Sequence, residues 1–123
     1  MLVVEDEIGL QKLLRRRAER AGLAVLCAQT NEAGFALATT SNPDVILIDL
    51  HLPDGSGISL LTRLKADVRT SHVAVVVWSG SDVDDSEDDA IRAGAVAYFE
   101  KTDVRQVIAR IVQLLDRAPV TPR

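Results

Sequence analysis

The chain has 123 residues, of which 47% are hydrophobic and 26% are charged, and this composition is typical of one soluble domain with a single core. Its formal net charge of −4 argues against nucleic acid as a direct ligand, because domains that bind nucleic acid carry an excess of basic residues. No apolar run approaches the roughly 20 residues that a membrane-spanning helix requires, and no signal peptide is visible, so we expect no membrane contact.

Five short apolar runs with the character of β-strands recur along the chain, at residues 2–4, 23–27, 45–48, 73–78 and 95–99. The third run lacks the alternation of a half-exposed strand and is typical of a strand buried on both faces of a parallel sheet. Segments with helical spacing separate the runs. This βαβα alternation predicts an α/β fold in which right-handed helical crossovers join parallel strands.

The first two predicted helices lie between the first three strands. Gly22 supplies a left-handed stop for the first helix, and Asn31 can cap the second, which ends before Pro43. The first helix also carries a basic run at residues 15–17, whose ordinary interpretation is a solvated face. Cys27 lies in the second strand and cannot form an internal disulfide, which fits a reducing cytoplasm.

The remaining helices are predicted at residues 58–66, at roughly 84–93 and from about 104 to 117. The glycine pair around Ser56 makes the turn into the third helix, Gly94 closes the fourth, and Thr102 or Asp103 caps the fifth. The apolar stripe of the fifth helix is wider than one core face requires, so we expect a partner surface there. Residues 1–117 then form the domain, and residues 118–123 form a frayed tail or the start of a linker.

Polar residues follow four of the five predicted strands at the point where each strand ends. They are Glu5 and Asp6 after the first strand, Asp49 and His51 after the third, Ser79 after the fourth and Lys101 after the fifth. Because the carboxyl ends of parallel strands meet along one edge of a sheet, we expect these residues to converge there.

Carboxylates gathered at one edge need a cation or a proton. Two of them held about 4 Å apart repel by about 4 kcal/mol at an effective dielectric constant of 20. Mg²⁺ suits hard oxygen ligands and leaves coordination positions for phosphate oxygens. With that charge neutralised, Asp49 can attack phosphorus as a nucleophile, while Lys101 pairs with the phosphoryl oxygens and Ser79 donates a hydrogen bond to them.

Four motifs together make nearly the whole chain resemble the receiver domain of two-component response regulators. They are LVVEDE at residues 2–7, DLHLPDG at 49–55, VWSG at 77–80 and YFEK at 98–101. The resemblance implies a flavodoxin-like, doubly wound sheet of five parallel strands with five helices, a (βα)5 fold. It also implies a phosphoprotein that works in signal transduction or a phosphorelay.

The resemblance assigns a role to each converging residue. It implies Asp49 as the phosphoacceptor, Glu5 and Asp6 as the acidic Mg²⁺ pair, the His51 backbone carbonyl as a further metal ligand, Lys101 as the phosphate-pairing lysine, Ser79 as the switch hydroxyl and Tyr98 as the switch aromatic.

The sequence departs from the family pattern at two positions. Glu5 replaces a frequent aspartate and can bind metal through water, and Thr102 replaces a frequent proline after the lysine. A cis bond before Thr102 would cost about 3 kcal/mol, so we expect a trans bond there.

Each of these residues, taken alone, also has an ordinary structural explanation. Asp49 can be a turn residue, Ser79 can begin a turn with Gly80, Lys101 can be solvated, Tyr98 can be a packed aromatic and His51 an ordinary loop histidine. Only their shared edge favours a functional site.

The predicted function is a cytoplasmic switch that accepts a phosphoryl group from a sensor histidine kinase or a histidine phosphotransfer protein. It is not expected to act as an enzyme on metabolites. The fourth and fifth helices are expected to contact a second receiver or an output domain, and the first helix can help to dock the kinase. One alternative is a pseudo-receiver that only binds partners. A second is a phosphatase with Asp49 as nucleophile, but such enzymes usually carry an acid where this chain has His51, together with a cap domain for which the chain is too short.

Overall fold

The structure is a computed structural model that describes residues 1–80, 86–101 and 103–116. Within these ranges the main sheet has five strands, β1 (Leu2–Val4), β2 (Leu26–Ala28), β3 (Val45–Asp49), β4 (Ala74–Ser79) and β5 (Ala97–Glu100). The helices are α1 (Ile8–Arg20), α2 (Asn31–Ser41), α3 (Gly57–Ala66), α4 (Ser86–Ala93) and α5 (Val104–Asp116). A short antiparallel pair, His51–Leu52 with Gly55–Ser56, lies between β3 and α3.

All neighbouring strands of the main sheet are parallel, and their order is β2-β1-β3-β4-β5. This is the flavodoxin-like order, and the predicted fold class is confirmed. The strand order reverses direction between β1 and β3, which places the crevice of the switch point beside the carboxyl ends of these two strands. Glu5 and Asp49 lie at those two ends.

The core has two layers, one on each face of the sheet. Alternate strand residues such as Leu2, Val4, Ile46 and Ile48 pack with α2, α3 and α4. The intervening residues, such as Val3 and Leu47, pack with α1 and α5. β3 is buried along its whole length because helices cover both faces, which is the reason its sequence shows no polar alternation.

Most helix ends follow local sequence signals. Gly22 follows α1 with φ of +89°, and Asn42 ends α2 with φ of +49°, both in the left-handed region. Ser56 caps α3 by accepting a hydrogen bond from Ile58 N at 3.1 Å, and Asp103 caps α5 by accepting one from Arg105 N at 2.9 Å.

The predicted cap of α2 is wrong. Thr30 is the N-cap, and its hydroxyl accepts a hydrogen bond from Ala33 N at 3.0 Å. Asn31 is the first helical residue and is buried, with only 5% of its surface exposed. Both residue types are good caps, so the sequence could not choose between adjacent candidates.

The strands differ from the predicted runs at several ends, most at the starts of β2 and β5. β2 is Leu26–Ala28 instead of residues 23–27, because among the described residues it pairs with β1 alone, whose three residues lie opposite these three. β5 begins at Ala97 because Ala95 N donates instead to Ala90 O at the end of α4. The antiparallel pair after β3 was not predicted, since its segments of two residues are too short for a periodic signal.

Several sequence predictions fall outside the described residues. They are the start of α4 at residues 84–85, the Thr102 alternative cap, the bond between Lys101 and Thr102, and the tail at residues 118–123. No helix within the described ranges has the length and apolarity that crossing a bilayer requires.

Candidate functional site

Three carboxylates from two strand ends form a cluster at the carboxyl edge of the sheet. Glu5 directly follows β1, and its backbone N–H donates to Ala28 O at 2.9 Å. Glu5 and Asp49 are 0% and 2% exposed, whereas Asp6 faces solvent. One oxygen from each of the three side chains lies within 4.8 Å of the others. The predicted convergence of these acids is therefore present in the fold.

Lys101 reaches the same cluster from the carboxyl end of β5, the strand at the end of the sheet order. Its backbone N–H donates to Ser79 O at 2.9 Å, which extends the ladder between β4 and β5 past the end of β5. From there its ammonium Nζ lies 2.8 Å from Asp49 Oδ2 and 2.7 Å from Glu5 Oε1. The contact between Lys101 and Asp49 joins residues 52 positions apart in sequence.

Burial disfavours the charged form of Glu5. Burial raises the pKa of Glu5 to about 7, against the opposing effects of the Lys101 ammonium and the Glu7 backbone N–H. Burial lowers the pKa of Lys101, but Asp49 and Glu5 more than offset this effect, so the pKa is raised. The ammonium is thus held in its charged form between two acids.

The cluster has the properties of a site for a hard divalent cation. Three carboxylates against one ammonium leave a formal charge of −2 when all are ionised. Glu5 Oε1 is buried and pairs with Lys101 Nζ at 2.7 Å, so the one ammonium offsets only part of the negative charge of the cluster. An oxygen-only donor set with negative charge left over fits Mg²⁺ or a similar ion.

The loop after β3 is built tightly around Asp49. The backbone N–H of His51 donates to Asp49 Oδ1 at 3.0 Å, and Gly57 N donates to Leu50 O at 2.8 Å. A Cβ on Gly57 would lie 2.3 Å from Asp49 O, so only glycine fits where the chain turns into α3. The His51 side chain is exposed. The loop therefore fixes the main chain around the carboxylate and leaves the imidazole in solvent.

Ser79 and Tyr98 lie on the neighbouring strands. Ser79 ends β4, is fully buried and pairs in register with Glu100. Tyr98 is on β5, half-buried against the core layer of α2, α3 and α4. Ser79 thus adjoins the Lys101 backbone, while Tyr98 packs on one face of the sheet.

Sequence reasoning did not predict the contact between Trp78 and Lys101 at this site. Its ring is buried and lies 5.1 Å from Lys101 Nζ, a cation–π distance. Trp78 also pairs in register with Asp49 across β3 and β4. The sequence signal was its place directly before Ser79, but only the tertiary structure brings its ring near the lysine.

Comparison with known proteins gives the family and the fold. The family model for the response regulator receiver domain matches residues 1–113. The KDP operon transcriptional regulatory protein KdpE of Escherichia coli (strain K12) is 35% identical over 98% of this chain and 53% of its own length. The phosphate regulon transcriptional regulatory protein PhoB of Pseudomonas aeruginosa is 30% identical over 95% of this chain and 52% of its own length. The chain thus spans about half the length of these curated relatives.

Solved structures share the whole architecture. A CheY-like response regulator receiver domain protein from Methanospirillum hungatei JF-1 has a TM-score of 0.87 at 25% identity, covering 94% of this chain and 92% of that one. The Mn²⁺-bound form of response regulator Rcp1 has a TM-score of 0.82 at 21% identity, covering 99% and 97%. The second likeness bears on the fold alone.

Proposed function

The chain belongs to the response regulator receiver domain family, and from that premise we propose that it is a phosphorylation-dependent switch that accepts a phosphoryl group on Asp49. The observation that carries the proposal is the cluster of Glu5, Asp6, Asp49 and Lys101 at the carboxyl edge of the sheet. Bound Mg²⁺ supplies charge neutralisation at the carboxylates and on the transferred phosphoryl oxygens. We propose Glu5, Asp6, Asp49 and the His51 backbone carbonyl as its ligands.

The chemical step is a phosphoryl transfer to a carboxylate. An oxygen of Asp49 forms a bond to phosphorus while the bond between phosphorus and the donor's imidazole nitrogen breaks, and the electron pair leaves with the imidazole. Lys101 already contacts Asp49 Oδ2 and is charged, so its ammonium is placed to pair with the incoming oxygens. Release of Lys101 from Glu5 would accompany that pairing.

Ser79 and Tyr98 are proposed as the switch residues. The Ser79 hydroxyl, at the end of β4, would donate to a phosphoryl oxygen that exists only after modification. Because the Ser79 carbonyl holds the Lys101 backbone, movement at Ser79 is coupled to β5 and hence to Tyr98. Phosphorylation would in this way alter the face formed by α4, β5 and α5.

The partners follow from the same proposal. We propose a sensor histidine kinase or a histidine phosphotransfer protein as phosphodonor in a reducing cytoplasm, and a second receiver or an output domain on the α4 and α5 face. Ile91 on α4 and Val96 before β5 support such a surface, since they are 48% and 47% exposed. The two relatives named above are transcriptional regulators about twice as long as this chain. As a switch, the domain is a substrate of its partner that also loses the phosphoryl group by its own hydrolysis, and it is not an enzyme acting on metabolites.

Labelling by a small phosphodonor tests the proposal. The native protein is incubated with acetyl phosphate and Mg²⁺, and intact-mass spectrometry is expected to show addition of one phosphoryl group. Asp49→Asn should abolish this addition, and so should chelation of Mg²⁺. Asp44→Asn is the matched control, because Asp44 is exposed and precedes β3 at its opposite end, so labelling should persist. A native protein that stays unlabelled would favour a pseudo-receiver that only binds partners.

A further inference from the structure

We infer that Asp54 is a positioning residue for the divalent-cation site, because its carboxylate fastens the loop after β3 to the first turn of α2. The inference rests on the proposed function, since the loop in question carries the His51 carbonyl that is proposed as a metal ligand. Asp54 lies outside the acidic cluster, on the solvent side of the loop, and would contribute to the metal site without contacting the ion.

Asp54 binds the start of α2 with both carboxylate oxygens. Oδ1 accepts a hydrogen bond from Asn31 N at 2.9 Å, and Oδ2 accepts one from Glu32 N at 3.1 Å. These donors lie at the first two helical positions, which the helix itself cannot satisfy. Thr30 satisfies the third position, Ala33 N. The hydrogen bond from Asn31 N lowers the pKa of Asp54, so the carboxylate is ionised at neutral pH and faces the positive end of the helix dipole.

A second connection joins the same helix to the same loop. The side chain of Asn31 is buried, and its Nδ2 donates to Ser56 O at 3.2 Å. Ser56 pairs with His51 in the short antiparallel ladder, and His51 N donates to Asp49 Oδ1 at 3.0 Å. A continuous chain of backbone and side-chain contacts therefore runs from α2 through the loop to the acidic cluster.

The antiparallel ladder of this loop is too short to be stable by itself. Its antiparallel pair has only two residues on each strand, and an isolated pair of that size is marginal in water. Pro53 and Asp54 between the strands are exposed, and Gly55, which begins the second strand, is exposed with φ of +134°. Mg²⁺ tolerates little deviation from octahedral geometry, so a loop that moves would bind it more weakly.

Titration with Mg²⁺, followed by the fluorescence of Trp78, tests the inference. Trp78 is the chain's single tryptophan and lies 5.1 Å from Lys101 Nζ. Replacing Asp54 with alanine is expected to weaken Mg²⁺ binding about tenfold, the scale of outer-shell substitutions at metal sites. Asp54→Asn keeps an acceptor oxygen and should fall between alanine and native. It also keeps the test decisive if the alanine variant folds poorly.

Thr30→Ala is the matched control. It removes a cap from the same helix start, and the hydrogen bond that it removes goes to Ala33 N and not to the loop, so Mg²⁺ affinity should stay within about twofold of native while urea unfolding shows a similar loss of stability to Asp54→Ala. Equal weakening of Mg²⁺ binding in both variants, or none in Asp54→Ala, would overturn the inference and leave the proposed function standing. A native protein whose fluorescence does not respond to Mg²⁺ would overturn both.

Discussion

Glu5 shows what burial does to a single carboxylate. It is fully buried beside Asp49 and Lys101, and its pKa is raised to about 7 because its charged form has lost water. A group whose pKa is higher in the folded than in the unfolded chain contributes stability that is present below the unfolded value and is lost as pH rises through the folded value. For Glu5 this window runs from about 4.5 to about 7.

The metal-free protein should therefore lose stability between pH 5 and pH 8. The full shift of Glu5 corresponds to about 3 kcal/mol at most. Urea unfolding in the presence of a chelator, compared between pH 5 and pH 8, measures the loss. Glu5→Gln has no titrating group at this position and should show a smaller loss over the same range. An identical loss in native and variant would show that Glu5 does not carry the effect.

Gly57 is a second residue whose environment determines the outcome of a substitution. Alanine is normally the better helix former by about 1 kcal/mol, but a Cβ here would lie 2.3 Å from Asp49 O. We expect Gly57→Ala to destabilise the fold by about 1–3 kcal/mol, as overpacking does, and to reduce labelling of Asp49. Gly9→Ala in α1 is the control, because its Cβ would meet the Glu7 side chain at 3.7 Å, an ordinary van der Waals contact. Chemical denaturation should show that variant to be as stable as native or slightly more so.

At the scale of elements, the helix starts show how a helix is anchored to the loops around it. α3 and α5 are capped by residues directly before them, Ser56 and Asp103. α2 is held both by its own Thr30 and by Asp54 from a loop 23 residues further along the chain. The local caps define where a helix begins, whereas the remote one attaches the helix to the site.

The cap of α5 gives a prediction at this scale. Asp103→Ala removes the acceptor of Arg105 N and should cost about 1 kcal/mol of unfolding free energy. Asp116→Ala is the matched control at the other end of α5, where an acidic residue opposes the helix dipole, so its removal should be neutral or slightly stabilising. Urea denaturation of both variants makes the comparison. If Asp103→Ala proved as stable as native, Asp103 would not be the effective cap.

At the scale of the molecule, the parallel sheet supplies the site by bringing together the ends of β1, β3, β4 and β5. β1, β3 and β4 are buried between two helical layers and β5 is half-buried at the edge of the sheet, so the packed core fixes the positions of these strand ends. This arrangement concentrates negative charge at one edge of the sheet, and repulsion between the carboxylates destabilises the fold. A cation bound there should raise the free energy of unfolding.

Mg²⁺ at one hundred times its dissociation constant should stabilise the protein by about 2.7 kcal/mol, or raise the melting temperature by about 10 °C for a domain of this size. Differential scanning calorimetry with and without Mg²⁺ measures the shift. Asp49→Asn should lose most of it, while Asp44→Asn, at the far end of β3, should keep it. Equal shifts in native protein and Asp49→Asn would place the bound ion elsewhere.

The sequence by itself determined the fold class and the convergence at the sheet edge. An unbroken apolar run such as 45–48 is typical of a strand buried on both faces of a covered parallel sheet, and residues that follow parallel strands meet at one edge. The fold class follows from the local periodicity of the sequence, and the convergence follows from the order of strands and helices along the chain. Both features can be read from residues close together in sequence. The approach of Glu5, Asp6, Asp49 and Lys101 could be anticipated in this way.

Only the tertiary structure decided which groups touch within that edge. The choice of Thr30 over Asn31 as cap, the reach of Asp54 to α2 and the position of the Trp78 ring near Lys101 all depend on the packing of segments far apart in sequence. Side chains of similar propensity compete for such places, and the free-energy differences between them are set by burial and by partners that no local pattern specifies. For the same reason, the raised pKa of Glu5 followed from its burial in the folded core and not from its sequence neighbours.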